Sequence, residues 1–148
     1  MLKKFEERGE VIESITKDIK KIAGRISKKI LNRKHFHNFF QNNITNLAKD
    51  YNLKGEKEYH INNIESSKRG GFIDVVWLEN SKPVAIFEID SSLRIESIKK
   101  LLSVVIPLRF WIYYGSRDVE SIFQKNNLNN LIQIVKLEGI NILRNQKN

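Results

Sequence analysis

The segment Gly71–Ser92, "GFIDVVWLENSKPVAIFEIDSS", constrains the fold more than any other part of this chain. Two β-rich apolar runs, Phe72–Leu78 and Val84–Asp90, flank the polar stretch "ENSKP". Val75, Val76, Trp77, Ala85, Ile86 and Phe87 leave little polar character on either face of these runs. Strands of that kind are buried on both sides, so other elements must cover the sheet from above and below. The runs read as a hairpin with a loop over Glu79–Pro83 and Pro83 at the strand edge. In that register Leu78 pairs with Val84, and Asp74 lies opposite Glu88. Glu88 and Asp90 are two apart and share a face, so three carboxylates converge on one patch. A slip of one residue would turn Asp74 away.

The surroundings of the hairpin predict what covers it. Phe5, Ile12, Ile19 and Ile26 recur every seven residues, with Ile15 and Ile22 at the matching second position, so the first thirty residues read as an amphipathic helix. This stripe serves either the chain's own core or a contact between two copies of the chain. A second helix is expected over Arg33–Tyr51, ended by "NLKGEK" with Gly55. "EYHINNI" alternates and reads as a strand from Glu58, and "ESSKRGG" (Glu65–Gly71) as a polar loop. After the hairpin, "SSLRIESIKKLLSVV" reads as a helix with serines at its start. "LRFWIYYG" reads as a strand closed by Gly115, "DVESIFQKNN" as a short helix, and "LIQIVKLEGINIL" as one or two strands. The expectation is a single α/β unit with a mixed sheet over 33–148, preceded by a helical extension over 1–32.

Composition narrows the function. With 26 Lys+Arg against 17 Asp+Glu, the net charge of +9 favours a polyanionic partner, nucleic acid before an anionic membrane surface. The absence of cysteine excludes disulfides and thiolate metal sites. No run of about 18 apolar residues suggests a membrane span, so a soluble cytoplasmic protein is expected. His35 and His37 are two apart on a helix and point to different sides, which argues against a zinc site with His60. The aromatic run "FWIYYG" alternates faces and is expected to pack in the core.

In such a cationic chain the three carboxylates need a reason. Unpaired charges in a buried strand cost several kcal/mol each, and neighbouring carboxylates repel. Two arrangements answer this. One is a bound divalent cation, Mg²⁺ or Mn²⁺, which takes oxygen ligands from one or two carboxylates plus water and phosphate. The other pairs Asp74 and Glu88 with Lys or Arg and leaves Asp90 to cap the next helix.

An Asp in the second strand ("FID", Phe72–Asp74), a short hairpin, a third strand ending "FEID" (Phe87–Asp90), then a helix and a fourth strand resemble the PD-(D/E)xK nuclease superfamily. The resemblance covers roughly 33–115. It implies a restriction-endonuclease-like αβββαβ core and Mg²⁺-dependent hydrolysis of DNA phosphodiesters. By that resemblance Asp74 and Glu88 are metal ligands, Asp90 is a third candidate, and the Ile89 carbonyl is a further one. The chain departs from the pattern at Asp90, where the family usually has Lys. In some members that lysine comes from the following helix, which here offers Arg94, Lys99 and Lys100. With Ile95, Ile98, Leu102 and Val105 as the buried stripe, Lys99 lies at its border and Lys100 more nearly opposite, so Lys99 is the candidate. The family often carries a Glu on the helix before the first strand. The stretch "NRKHFHNFFQNN" has none, which leaves His37, Gln41 or the strand residue Glu58 nearest that role. Lys68 and Arg69, just before the Asp74 strand, are candidates for contacting a phosphate backbone. Two other readings stand beside the nuclease: an inactive nuclease-fold protein that binds DNA, and an assembly module, for instance a homodimer through the N-terminal helix.

Overall fold

The two apolar runs form the centre of a five-stranded sheet in the computed structural model, which describes residues 5–26, 32–61, 71–119, 121 and 131–140. Its strands are β1 (Lys54–Ile61), β2 (Gly71–Glu79), β3 (Lys82–Asp90), β4 (Leu108–Tyr113) and β5 (Gln133–Lys136), and they lie side by side in chain order. β1, β2 and β3 form an antiparallel meander, and β3, β4 and β5 run parallel. A parallel neighbour needs a crossover. Between β3 and β4 the helix α3 (Ile95–Leu102) lies in that connection.

Both faces of the sheet are covered, as the all-apolar strands require. On one face lie α1 (Phe5–Ile26) and α2 (Arg33–Leu47). Ile15, Ile19 and Ile22 of α1 and Phe36, Phe40 and Ile44 of α2 share a cluster with Val75, Trp77, Phe87 and Phe110 of the sheet. Ile15, Ile19 and Ile22 of the stripe therefore pack in the chain's own core, with Ile12 partly buried against it. On the other face, Ile98 and Leu101 of α3 pack with Val76, Ile86, Trp111 and Tyr113. The β4 aromatics are buried on alternate faces, which bears out their reading as core residues.

Several local expectations change. α2 runs into a 3₁₀ turn, Ala48–Tyr51, and its end is made by Asn52 in the left-handed region (φ 60°), not by Gly55. Asn tolerates that conformation because its short polar side chain bonds locally. Gly55 lies inside β1, where a Cβ would run into the carbonyl oxygen of Thr45, so the missing side chain lets the strand approach α2. The hairpin turn is two residues, Asn80–Ser81, both at positive φ (51° and 69°), as the tight turns that suit strand twist require. Leu78 pairs with Pro83 rather than Val84. Val84 is the extra residue of a bulge that accommodates the shorter turn. Beyond it Trp77 faces Ala85 and Val75 faces Phe87, which keeps Asp74 level with Glu88.

In α3 the buried face is Ser97, Ile98 and Leu101, while Ile95 and Leu102 are exposed. The helix has only eight residues, so the more distant Val105 lies beyond it and is fully exposed. No serine caps it; its N-cap is Arg94, without a side-chain bond. The "DVESIFQKNN" helix, apart from its first residues, the loop carrying Lys68 and Arg69, Ile30 and the tail from 141 lie outside the described residues.

Candidate functional site

Asp74 sits where the sheet is interrupted on both sides. Towards β3, the ladder ends at the pair Val75–Phe87. Past that pair two carboxylates bridge the strands in place of ladder bonds. The Asp74 N–H donates to Glu88 Oε2 at 2.9 Å, and the Ile89 N–H donates to Asp74 Oδ2 at 2.8 Å. Towards β1, the residue level with Asp74 is Glu58, which has a positive φ of 52° and is skipped by the pairing. The Asp74 carbonyl bonds instead to Gln41 Nε2 at 2.8 Å, and the same amide reaches Glu58 Oε2 at 2.8 Å. Facial alternation breaks here too, for Ile73 and Val75 belong to opposite clusters although they are two apart. The break lets Asp74 be approached from the α2 side while its neighbour Glu88 is approached from the α3 side.

From α2, His37 Nε2 lies 3.6 Å from Asp74 Oδ1. That is too long for a good hydrogen bond and suits an ion pair with the charged imidazole. Contact with Asp74 raises the His37 pKa above its ordinary value, against the opposing effect of burial. Arg33, His37 and Gln41 are four residues apart in turn, so one stripe of α2 faces the site. From α3, Lys100 Nζ lies 3.0 Å from Glu88 Oε1 and donates to the Phe72 carbonyl at 2.9 Å. Glu88 is 2 % exposed. Burial first, and the nearby Asp74 charge second, push its pKa up to about 7, although Lys100 works in the other direction.

Asp74, Glu88, His37 and Lys100 line a cleft of about 510 Å³ between the N-terminal parts of α2 and α3, at the carboxyl end of β3. A crevice outside the carboxyl ends of strands, where the strand directions change, is where open α/β sheets bind ligands. Arg33, Lys34 and Arg94 line the same cleft and are exposed, as is Glu96, so the acidic floor has three cations and one anion at its rim.

The structure brings together Asp74 and Glu88, as their register predicted, and adds Lys100, His37 and Gln41. Asp90 also lines the cleft, but its Oδ2 accepts the indole N–H of Trp111 at 2.8 Å. Burial raises its pKa, with Ser97 and Trp111 acting in the other direction. Lys99 is exposed and on another side of α3 from the site, which corrects the order expected of the two lysines. The physical reason is the helix rotation set by Ile98 and Leu101, a pair at i, i+3 within so short a helix. His35 is exposed, and His60 is exposed with its ring against Phe72.

Among the described residues no three His, Cys, Asp or Glu side chains form a group able to hold a metal. What converges is a pair, Asp74 and Glu88. A pair fits Mg²⁺, which is usually held by one or two carboxylates with water and substrate phosphate completing its shell. Among the described residues, too, no helix is long and apolar enough to cross a membrane. No family model, curated protein or solved structure matches the chain.

Proposed function

We propose that this protein is a divalent-metal-dependent nuclease acting on DNA, with a PD-(D/E)xK-like core. The observation that carries the reading is the braced pair Asp74–Glu88 at the floor of a mainly cation-rimmed cleft, with a lysine at 3.0 Å delivered from the following helix. The meander followed by parallel strands, with a helix in the β3–β4 connection, agrees with the strand order that the resemblance implies. The net charge of +9 supports a polyanionic substrate.

Each residue then has a task. Asp74 and Glu88 hold Mg²⁺ or Mn²⁺, and their two backbone bonds fix the carboxylate planes before the metal arrives. When bound, the metal supplies an activated water and offsets charge on the leaving oxygen. Lys100 takes the place of the lysine that the β3 position lacks. Its ammonium offsets charge on the acidic pair and on the phosphate that enters the cleft. Gln41 and His37 hold Asp74 from the α2 side, and Arg33, Lys34 and Arg94 meet flanking phosphates. Lys68 and Arg69, in the segment leading into β2, are proposed to join them.

The test is incubation of the purified protein with supercoiled, linear and single-stranded DNA. Cleavage with Mg²⁺ or Mn²⁺ that stops in EDTA is expected. Salt-sensitive DNA binding without cleavage under any of these conditions would favour the inactive nuclease-fold protein instead.

A further inference from the structure

We propose that Glu58 is a positioning residue for Asp74: held in the left-handed region by the Gln41 amide, it keeps the β1–β2 ladder open and turns the Asp74 carboxylate towards β3. Its bearing on metal binding rests on the nuclease reading above, whereas the backbone geometry does not. Lys57 pairs with Val75 and Tyr59 with Ile73, and between these pairs Glu58 is level with Asp74 but not paired with it. The residue count is equal on both strands, so no extra residue forces the gap. What opens it is the φ of 52° at Glu58. In that region a Cβ crowds the following carbonyl, and glutamate lacks the short polar side chain that lets asparagine offset this locally. Such a residue persists only where its surroundings over-determine it.

Gln41 supplies that determination. It is 6 % exposed, on the face of α2 that buries Phe40 and Ile44 against the sheet. A side-chain amide has two N–H groups to give. Gln41 Nε2 lies 2.8 Å from Glu58 Oε2 and 2.8 Å from the Asp74 carbonyl oxygen, so both are engaged. The Asp74 carbonyl is thus satisfied from the helix rather than from β1. Closing the ladder would take these acceptors from a buried amide, a cost that keeps the break open. β2 changes face at the same point. Val75 packs in the α1–α2 cluster, but Ile73 packs in the α3 cluster, with its partner Tyr59 against it. Regular alternation would put Ile73 and Val75 on one face and Asp74 on the α3 side. With the break between them, Asp74 Oδ2 accepts the Ile89 N–H of β3 at 2.8 Å, and Oδ1 lies 3.6 Å from His37 of α2. Glu58 therefore acts through its backbone and one acceptor oxygen, and its charge is dispensable.

The test reads the brace without metal and the site with it. In the full chain at pH 7 in EDTA, amide hydrogen exchange followed by NMR reports the Ile89 N–H that the Asp74 carboxylate holds. Glu58→Val favours extended backbone and cannot accept from Gln41. It should speed Ile89 exchange about five- to tenfold, the scale of one lost hydrogen bond, with the amides of β4 unchanged. Gln41→Leu should do the same. Glu58→Gln, which keeps the acceptor, should stay within about twofold of wild type, and Glu58→Gly, which enters the left-handed region freely, within about threefold. The Mg²⁺ concentration for a half-maximal thermal shift should rise about tenfold or more in Glu58→Val and Gln41→Leu, the scale for residues that orient metal ligands, and stay at the wild-type value in Glu58→Gln. Glu58 is exposed, so its variants decide alone where Gln41→Leu does not fold. An unchanged Ile89 exchange in Glu58→Val would overturn the positioning role. A loss of Mg²⁺ affinity in Glu58→Gln equal to that in Glu58→Val would overturn it too, by giving the role to the carboxylate charge. The expected exchange pattern in a chain that does not respond to Mg²⁺ would support the positioning role and count against the nuclease reading alone.

Discussion

Asp74→Asn and Glu88→Gln should each lower Mg²⁺-dependent DNA cleavage by about 10³-fold or more, the equivalent of several kcal/mol of metal-derived stabilisation. Both substitutions are nearly isosteric. Asn keeps an oxygen for the Ile89 N–H and Gln keeps one for the Asp74 N–H, so the brace between β2 and β3 survives. What is lost is the negative charge that holds a cation. DNA binding in EDTA should be unchanged or tighter, because each variant removes an anion from a cleft that receives phosphate. Single-turnover nicking of supercoiled DNA, with fluorescence anisotropy for binding, separates the two quantities. Wild-type cleavage by either variant would remove that carboxylate from the site. A loss of cleavage matched by an equal loss of binding would assign it to substrate affinity instead.

The second large effect belongs to α3. Lys100→Ala should lower kcat about 10²-fold, the scale of losing one preorganised charge beside the reacting group, while Lys99→Ala should stay within about twofold of wild type. The contrast follows from position alone. The two lysines are adjacent in sequence and alike in chemistry, but Lys100 lies 3.0 Å from Glu88 and Lys99 faces solvent. Lys100→Arg should recover little, since a planar fork replaces a compact ammonium in a half-buried place. A Lys99→Ala defect equal to that of Lys100→Ala would mean that the lysines act through general charge on the helix.

The parts of this arrangement that were legible in the sequence are those fixed by period and register. Strands apolar on both faces announced a covered sheet, and the Asp74–Glu88 pairing followed from counting across the hairpin. That count assumed a longer loop than the Asn80–Ser81 turn. The bulge at Val84 absorbs the difference, so Asp74 stays level with Glu88 although Leu78 pairs with Pro83. The face of α3 was not legible. Ile95, Ile98, Leu102 and Val105 look like a buried stripe, but the helix stops at Leu102, and a buried serine, which a hydrophobic pattern ignores, marks its inner side. Ser97 three residues before Lys100 was the available signal. The break at Asp74 was invisible for another reason. It depends on a left-handed Glu58, a residue type with no preference for that region, held by Gln41 from a helix distant in sequence. His37 and Gln41 stood among the candidates by place in the chain, and their four-residue spacing from Arg33 is the pattern that unites them.

Glu88 adds a pH dependence. Its pKa in the folded chain, raised to about 7 by burial and by Asp74, lies above the ordinary 4.5, so the metal-free fold holds this proton more tightly than the unfolded chain does. This group therefore costs the metal-free protein stability as pH rises from about 4.5 to about 7, and the full cost remains above that. A cation that needs the ionised carboxylate competes with the proton, so Mg²⁺ should bind best above pH 7 and lose affinity as pH falls.

The central claim, that Asp74 and Glu88 form a divalent-cation site, is tested most directly by melting the protein at pH 8 in EDTA and in saturating Mg²⁺. The wild type should gain about 5–10 °C in Tm at a concentration near 100 times Kd, and the Asp74→Asn/Glu88→Gln double variant should gain nothing. A wild type indifferent to Mg²⁺, or an equal shift in the double variant, would contradict the account.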